Sequence, residues 1–220
     1  MTLIKKCWQQ VLSVLYPEGV LCHACQKPAH GAELCEACAA ELATLKLETT
    51  WSAPWLDGAV HSAYLYEGAA RELVHALKYH CDAHAAELLA APMAELADGW
   101  LLSPEVVVTW VTMPRSRQRS RGVDHGALLA AAVARRLKLD ARCLMHRRDR
   151  RFERTQRGLD MEQRLRNLRG LFSCTGEVPR RVLLVDDVLT TGATARTCAE
   201  CLRRGGAEEV YVLTATRVVR

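Results

Sequence analysis

Apolar side chains recur every three to four positions in several segments, a spacing that places them on one face of a helix. Pro92 falls inside one of these segments, where it predicts a kink or a break because proline lacks the N–H group that an inner helical turn requires. Glycines at 205 and 206 predict the end of the last helix. The pattern predicts helices over residues 1–17, 68–80, 83–101, 125–137 and 194–206.

Shorter apolar segments lie between these helices and predict strands. Residues 59–66 alternate between apolar and polar side chains, whereas 106–111 and 182–187 are nearly continuous apolar runs. Such runs suit strands that are covered on both faces. A fourth strand is predicted over 209–216. Strands that alternate with helices from residue 58 onward predict an α/β fold, a parallel sheet flanked by helices.

The chain has 220 residues, of which half are hydrophobic and a quarter are charged, so it can bury a core and is not globally disordered. We expect an N-terminal unit at 1–57, with a cysteine-rich loop at 18–40 and a connector at 41–57, followed by an α/β domain at 58–220. No segment approaches the roughly 18 uninterrupted apolar residues of a membrane span. The first helix lacks a signal-peptide cleavage site, so we expect a cytoplasmic protein.

Basic residues are concentrated in the middle of the chain. Residues 115–169 carry 17 Lys and Arg against 6 Asp and Glu, whereas residues 1–114 carry 6 against 13. All but one of the central basic residues are arginines, which favour bidentate contacts with phosphate. A phosphate-rich partner is the interpretation we favour, and a solvated helix face is the alternative.

Four of the ten cysteines form two CxxC pairs that are nine residues apart. Each CxxC turn can direct both sulfurs at one ion, and two such turns supply the four thiolates of a closed structural zinc site. Such a site would fold a small loop unit that lacks a core of its own. The alternatives are redox dithiols or buried thiols, and His23 or His30 could replace a cysteine as ligand. The predicted zinc ligands are Cys22, Cys25, Cys35 and Cys38.

The segment 180–198 carries the most specific pattern of the chain. A predicted strand leads into Asp186 and Asp187, and hydroxyl-bearing and small residues then open a helix. Exposed backbone N–H groups and hydroxyls at a helix start can hold an anion, and ionised carboxylates can accept hydrogen bonds from a diol. The pattern therefore fits a ribose phosphate, with a simple capped helix start as the alternative. The predicted phosphate-binding residues are Thr190, Thr191, Gly192, Ala193 and Thr194.

This segment resembles the PRPP (5-phosphoribosyl-1-diphosphate) motif of type I phosphoribosyltransferases. The resemblance implies that Asp186 and Asp187 hold the ribose hydroxyls and that residues 190–194 hold the 5-phosphate. It also implies that Mg²⁺ accompanies the diphosphate if the protein is an active transferase.

The cysteine unit ahead of such a domain resembles the ComF family, which includes the GntX-like proteins. Leu77, Lys78 and Tyr79 match the LKY element of that family, and Arg121-Gly122 match the start of its RGFNQ element. Gln156 and the residues from Arg164 to Asn167, ending at Phe172, match its Q…RxxN…F stretch. The resemblance implies a cytoplasmic role in handling incoming single-stranded DNA during natural transformation, beside a helicase partner.

Two elements depart from the family pattern. Thr112-Met113-Pro114 stand where the family reads PVP, and the RGFNQ element has become RGVDH at 121–125. In phosphoribosyltransferases this loop contacts pyrophosphate, so Asp124 adds negative charge near a polyanion. The candidates for clamping pyrophosphate or DNA phosphates are Lys78, Arg115, Arg117, Arg119 and Arg121. The candidates for a mobile loop that closes over the ligand are Arg154, Gln156, Arg164 and Asn167.

Three functions fit these residues. The first is a DNA-handling protein that binds PRPP and single-stranded DNA. The second is an active phosphoribosyltransferase of nucleotide salvage, and the third is a regulator that senses PRPP. A homo-oligomer is compatible with each of them.

Overall fold

The computed structural model describes residues 21–47, 51–52, 59–98, 100, 103–114, 123–147 and 170–219. The predicted helix over 1–17 lies outside the described residues. No helix among the described residues is both long and apolar enough to cross a membrane.

A six-stranded sheet forms the centre of the described structure. Its spatial order is β1-β2-β8-β7-β3-β4, and every neighbouring pair is parallel except β1 with β2. Two further short strands, β5 and β6, pair antiparallel as a separate ribbon. The strands are β1 (Trp51–Ser52), β2 (Ala59–Leu65), β3 (Val107–Trp110), β4 (Asp140–Ala141), β5 (Met145–Arg147), β6 (Phe172–Cys174), β7 (Arg181–Leu189) and β8 (Glu209–Arg217).

Helices cover the sheet and connect its parallel strands. They are α1 (Glu36–Thr44), α2 (Gly68–His75), a π-helical turn (Ala76–His80) that continues α2, α3 (Ala83–Asp98), α4 (His125–Leu137) and α5 (Ala193–Arg204). The bounds of α4 agree with the prediction. Pro92 lies inside the continuous α3 helix, so a break there is wrong, whereas a kink stays a prediction. The predicted connector at 41–57 is wrong in part, because it contains the end of α1 and the whole of β1.

Both faces of the sheet are buried, and alternate residues of β7 pack on opposite faces. Leu183 and Val185 belong to the hydrophobic cluster that includes α2, α3 and α4. Val182 and Leu184 belong to the opposite cluster, with α5 and the β5–β6 ribbon. Side chains along a strand point to opposite faces in turn, so a strand covered on both faces has a continuous apolar sequence. The prediction of a mostly parallel sheet flanked by helices is confirmed.

Cys198 and Cys201 lie on one face of α5 and are both buried. The Sγ atoms of Cys201 and Cys174 are 3.5 Å apart, and Cys198 belongs to the same hydrophobic cluster. This CxxC pair therefore packs in the core, as its helical spacing predicts.

Candidate functional site

The two adjacent carboxylates lie inside β7 and not at its end. Asp186 pairs in register with Thr214 of β8, and the strand continues to Leu189. The hydroxyl of Thr216 donates a hydrogen bond to the carbonyl oxygen of Asp187, with a donor–acceptor distance of 2.9 Å. The predicted strand over 182–187 was thus too short, because β8 provides pairing partners for residues beyond the carboxylates.

Asp187 is buried and contacts two basic side chains. Lys78 Nζ lies 2.9 Å from its Oδ1 atom, and His125 Nε2 lies 3.0 Å from its Oδ2 atom. Asp186 is half-buried, and its Oδ1 atom accepts a hydrogen bond from the backbone N–H of Asp187 at 2.9 Å. The site therefore combines two acidic and two basic groups at the carboxyl end of a parallel sheet, where ligands bind in open α/β folds.

Lys78 reaches Asp187 from the π-helical turn. This turn ends at Cys81, whose left-handed backbone (φ 53°) stops the helix. Single π-helical turns inside α-helices occur frequently at functional sites. Lys78 lies within the predicted helix over 68–80, whose last turn is π-helical, and it pairs with the acidic residues. Its role as a phosphate contact stays a prediction.

His125 is a site residue that sequence reasoning noted only as a departure from a family element. It is the first residue of α4, and Asp124 caps this helix by accepting a hydrogen bond from Gly126 N at 3.0 Å. The other carboxylate oxygen of Asp124 accepts a hydrogen bond from Trp110 Nε1 at 3.1 Å. The RGVDH sequence thus has a local role: Asp124 fixes the helix start and the next residue reaches Asp187.

The burial and charge of this cluster shift its pKa values in opposite directions. Burial and the neighbouring Asp187 charge raise the pKa of Asp186, although Lys78 opposes the shift. Burial would also raise the pKa of Asp187, but the His125 hydrogen bond and the Lys78 charge together lower it. Burial would lower the pKa of Lys78, and the Asp187 carboxylate reverses the effect and raises it. Asp187 therefore carries the negative charge of the pair more readily than Asp186.

Residues 190–192 form the turn between β7 and α5, and Ala193 and Thr194 are the first residues of α5. Gly192 has a left-handed backbone (φ 74°) and is the N-cap of α5, which begins at Ala193. Thr190 is exposed, and Thr191 and Thr194 are half-buried. The first N–H groups of a helix have no partner within it and carry partial positive charge. This turn is therefore chemically suited to hold a phosphate.

The four predicted zinc ligands come together in the fold. The sulfur atoms of Cys22, Cys25, Cys35 and Cys38 lie within 4.8 Å of one another. Burial would raise the pKa of Cys22, but backbone N–H groups directed at its sulfur lower it to about 6. Four thiols at this spacing fit the tetrahedral, closed coordination of a structural zinc ion. Among the described residues, no histidine belongs to this candidate metal-binding group.

His23 instead joins the cysteine cluster to the α/β region. Its Nδ1 atom lies 2.7 Å from Asp82 Oδ2, and its ring stacks on His84 with the ring centroids 4.8 Å apart. The other oxygen of Asp82 caps α3 by accepting hydrogen bonds from the backbone N–H groups of His84 and Ala85. Asp82 lies four residues after Lys78, so the cysteine cluster is held next to the segment that provides this lysine.

A cavity of about 410 Å³ is lined in part by Trp110, Thr112, Asp124 and His146. Thr112 Oγ1 and His146 Nδ1 are buried and have no hydrogen-bond partner among the described residues. Ser173 Oγ lies 2.9 Å from His146 Nε2 and fixes the ring. The cavity thus presents an aromatic wall to a ligand, whereas these two polar atoms are not exposed to it.

The remaining predicted site residues fall outside the part of the chain that the structure describes. They are Arg115, Arg117, Arg119 and Arg121 of the altered loop, and Arg154, Gln156, Arg164 and Asn167 of the predicted mobile loop.

Solved structures that resemble this chain include phosphoribosyltransferases. The glutamine PRPP amidotransferase of B. subtilis is 22% identical with a TM-score of 0.39, and the match covers 59% of this chain and 26% of that chain. The orotate phosphoribosyltransferase of Aeropyrum pernix is 18% identical with a TM-score of 0.39, and the match covers 81% of this chain and 90% of that chain.

No protein-family model matches the chain. Competence protein F of Haemophilus influenzae is 31% identical over 205 residues, which cover 87% of this chain and 88% of that protein. The chain therefore belongs to the ComF family, as a ComF-type protein with a phosphoribosyltransferase-like domain.

Proposed function

We propose that this protein binds PRPP or a related ribose phosphate at the carboxyl-terminal half of β7 and the turn that follows it, and acts in the uptake or use of DNA. The proposal rests on one observation: Asp186 and Asp187 lie in β7, and the Gly192 turn that follows leads directly into α5. The phosphate would accept hydrogen bonds from N–H groups at the start of α5, and the ribose hydroxyls would donate to the acidic pair. Zinc, held by the four cysteines, would stabilise the N-terminal unit.

The arginine-rich stretch at 115–169 supports a second ligand, single-stranded DNA. Its excess of 11 positive charges, taken from 17 basic and 6 acidic residues, would attract a polyanion. Natural transformation in the cytoplasm, with a helicase partner, is the setting that ComF membership supports. A homo-oligomer is compatible with this function.

A second candidate function is phosphoribosyl transfer, in which a base or amine displaces pyrophosphate from PRPP. The cavity beside Asp124 favours it, because the Trp110 side chain in its wall suits a planar heteroaromatic acceptor. Mg²⁺ would then accompany the diphosphate. A third candidate, PRPP sensing without chemistry, would use the same ribose-phosphate site.

Calorimetric titration of PRPP into zinc-loaded protein tests the main proposal. We expect the wild type to bind and Asp186→Asn/Asp187→Asn to lose binding at least tenfold. The matched control is Glu208→Gln/Glu209→Gln, an adjacent acidic pair whose side chains form exposed ion pairs with Arg180 and Arg181. A folded wild type that does not bind PRPP would refute the proposal. Pyrophosphate release with a panel of bases then separates transfer from binding alone.

A further inference from the structure

We infer that Tyr79 stacks on a base of single-stranded DNA beside the proposed ribose-phosphate site. The inference rests on the proposed function, because it takes DNA as the second ligand and names a side chain that contacts the bases. The arginine-rich stretch supports contacts with phosphates alone. Proteins that bind single strands of any sequence combine such contacts with exposed aromatic rings, on which successive bases stack.

The exposure of Tyr79 is the first observation. Its exposed fraction of 63% is the largest among the large hydrophobic side chains in the described part of the chain, and the next residue, His80, is exposed as well. The other exposed side chains of this kind are aliphatic, namely Leu21, Val123 and Val219. Single aliphatic side chains are normal on a protein surface, whereas an exposed ring offers a face on which a base can stack.

The position of Tyr79 at the ligand end of the sheet is the second observation. Tyr79 follows Lys78 in the π-helical turn, and Lys78 Nζ lies 2.9 Å from Asp187 Oδ1. Because neighbouring Cα atoms are about 3.8 Å apart, the backbone of Tyr79 lies about one lysine side chain away from the acidic pair. A strand that stacks on Tyr79 would therefore lie next to the ribose-phosphate site.

A second ring holds the Tyr79 ring in place. The centroids of the Tyr79 and His75 rings are 5.6 Å apart, and their planes meet at 85°. The hydroxyl of Tyr66 lies 3.2 Å from His75 Nε2 and orients the imidazole. This edge-to-face contact covers at most one face of the Tyr79 ring. A side chain that is already ordered loses little freedom when a base stacks on it.

The open surroundings of Tyr79 favour a nucleic-acid strand over a small molecule. Small-molecule sites are concave and bury roughly 70–90% of the ligand surface, whereas a ring that is 63% exposed leaves much of a stacked group in solvent. A strand tolerates this exposure, because its phosphate contacts add to the stacking energy. A protein partner at Tyr79 is the other interpretation, and it predicts a DNA affinity that does not depend on this ring.

Fluorescence anisotropy with a labelled oligothymidylate and zinc-loaded full-length protein tests the inference. We expect Tyr79→Ala to weaken binding about fivefold or more, whereas Tyr79→Phe, which keeps the ring, should stay within about twofold of the wild type. Equal affinities of wild type and Tyr79→Ala would overturn the inference, and so would equal losses in the two Tyr79 variants.

Tyr211→Ala is the matched control. Tyr211 lies near the start of β8, at the opposite end of the sheet, and its ring packs on Trp100. We expect this variant to bind the oligothymidylate like the wild type. Thermal unfolding would verify that each variant is folded.

An abasic oligonucleotide of the same length separates stacking from an indirect effect on phosphate contacts. It keeps the sugars and phosphates but lacks the bases, so wild type and Tyr79→Ala should bind it equally. Tyr79→Ala should also leave the salt dependence of oligothymidylate binding unchanged, because it removes no phosphate contact. A loss of affinity that is equal for the two oligonucleotides would overturn the inference.

Ribose 5-phosphate distinguishes a failure of the inference from a failure of the proposed function. Calorimetry should give affinities within about twofold of each other for wild type and Tyr79→Ala. A tenfold loss would show that Tyr79 acts by positioning Lys78, and it would overturn the inference while the ribose-phosphate site stands. A wild type that binds ribose 5-phosphate but no DNA would refute the inference and the DNA part of the proposed function. A wild type that binds neither would refute the proposed function as a whole.

Discussion

The ammonium group of Lys78 lies 2.9 Å from Asp187 Oδ1 and connects the π-helical turn to β7. Both side chains are largely withdrawn from solvent, with exposed fractions of 24% and 9%. Breaking a buried ion pair by removing one partner leaves the other charge uncompensated. The proposed ligand binding and the stability of the fold therefore depend on the same pair of residues.

Lys78→Met should lower the free energy of unfolding by about 3 kcal/mol, the usual cost of leaving one charge of a buried pair alone. Urea unfolding at neutral pH would measure the change. Lys46→Met is the matched control, because Lys46 forms an exposed pair with Glu95 and its loss should cost less than about 1 kcal/mol. Equal losses in the two variants would contradict the proposed burial of the Lys78 charge.

Asp186→Asn should increase stability, and the increase should grow as the pH rises. The pKa of Asp186 is raised in the folded protein, so the native state binds more protons than the unfolded chain above pH about 4. The contribution of Asp186 to the free energy of unfolding therefore falls as the pH rises from the pKa of this residue in the unfolded chain to its pKa in the folded protein. Asparagine does not titrate, so the variant shows no such fall. Urea unfolding of both proteins at pH 5, 6, 7 and 8 would measure the difference in their free energies of unfolding. A difference that stays constant with pH would contradict the prediction.

Gly192→Ala should weaken phosphate binding and destabilise the fold by about 1–2 kcal/mol, because alanine is strained at φ 74°. Gly176→Ala is a close control, since Gly176 has φ 72° and open space where a Cβ atom would lie. Both variants should lose similar stability, but only Gly192→Ala should bind ribose 5-phosphate more weakly. Unfolding and calorimetry measured on the same samples would separate the two effects.

Loss of any zinc ligand should remove bound metal. Cys25→Ser should abolish stoichiometric zinc, because three thiolates leave the tetrahedral site incomplete. Cys143→Ser is the control, since Cys143 is an exposed cysteine outside the cluster. Metal analysis of both purified variants would check this, and a zinc content that is equal in the two would argue against the four-cysteine site.

DNA binding should weaken steeply with salt if the arginine-rich stretch contacts phosphates. The logarithm of the association constant should fall with the logarithm of salt concentration, with a slope of about −0.7 per phosphate contact for a single strand. The double variant Arg154→Ala/Arg164→Ala should have a shallower slope, by the amount that corresponds to about one to two lost phosphate contacts. Fluorescence anisotropy with a labelled oligonucleotide at several salt concentrations would measure the slope. An unchanged slope in the variant would show that these two arginines do not contact the DNA phosphates.

Local patterns in the sequence were sufficient to predict the long elements. The apolar period and flanking residues of His125–Leu137 gave the bounds of α4, and the apolar run before Asp186 indicated a strand buried on both faces. The short strands β4, β5 and β6 were not predicted, because two or three residues cannot establish a period. The continuation of β7 past Asp187 depends on pairing with β8, which is a tertiary interaction.

The spacing of the four cysteines was sufficient to predict their cluster, because both CxxC turns are local structures. The partners of Asp187 could not be predicted in the same way. Lys78 and His125 are far from it in the chain, and only the packing of α2 and α4 on one face of the sheet brings them together. The one local signal of such a partner was the histidine at the end of RGVDH, where the family element RGFNQ has glutamine.

Asp82 gives the cysteine cluster an influence beyond its own folding. One of its oxygens is held by His23, which lies between two cysteines, and the other fixes the start of α3 just after the turn that provides Lys78. Metal binding at the cysteines would order His23 and, through Asp82, the lysine that faces the acidic pair. Zinc supply would thereby become a condition for ligand recognition at a site that contains no zinc ligand. A metal-starved cell would produce a protein that is impaired both in the folding of its cysteine unit and in ligand binding.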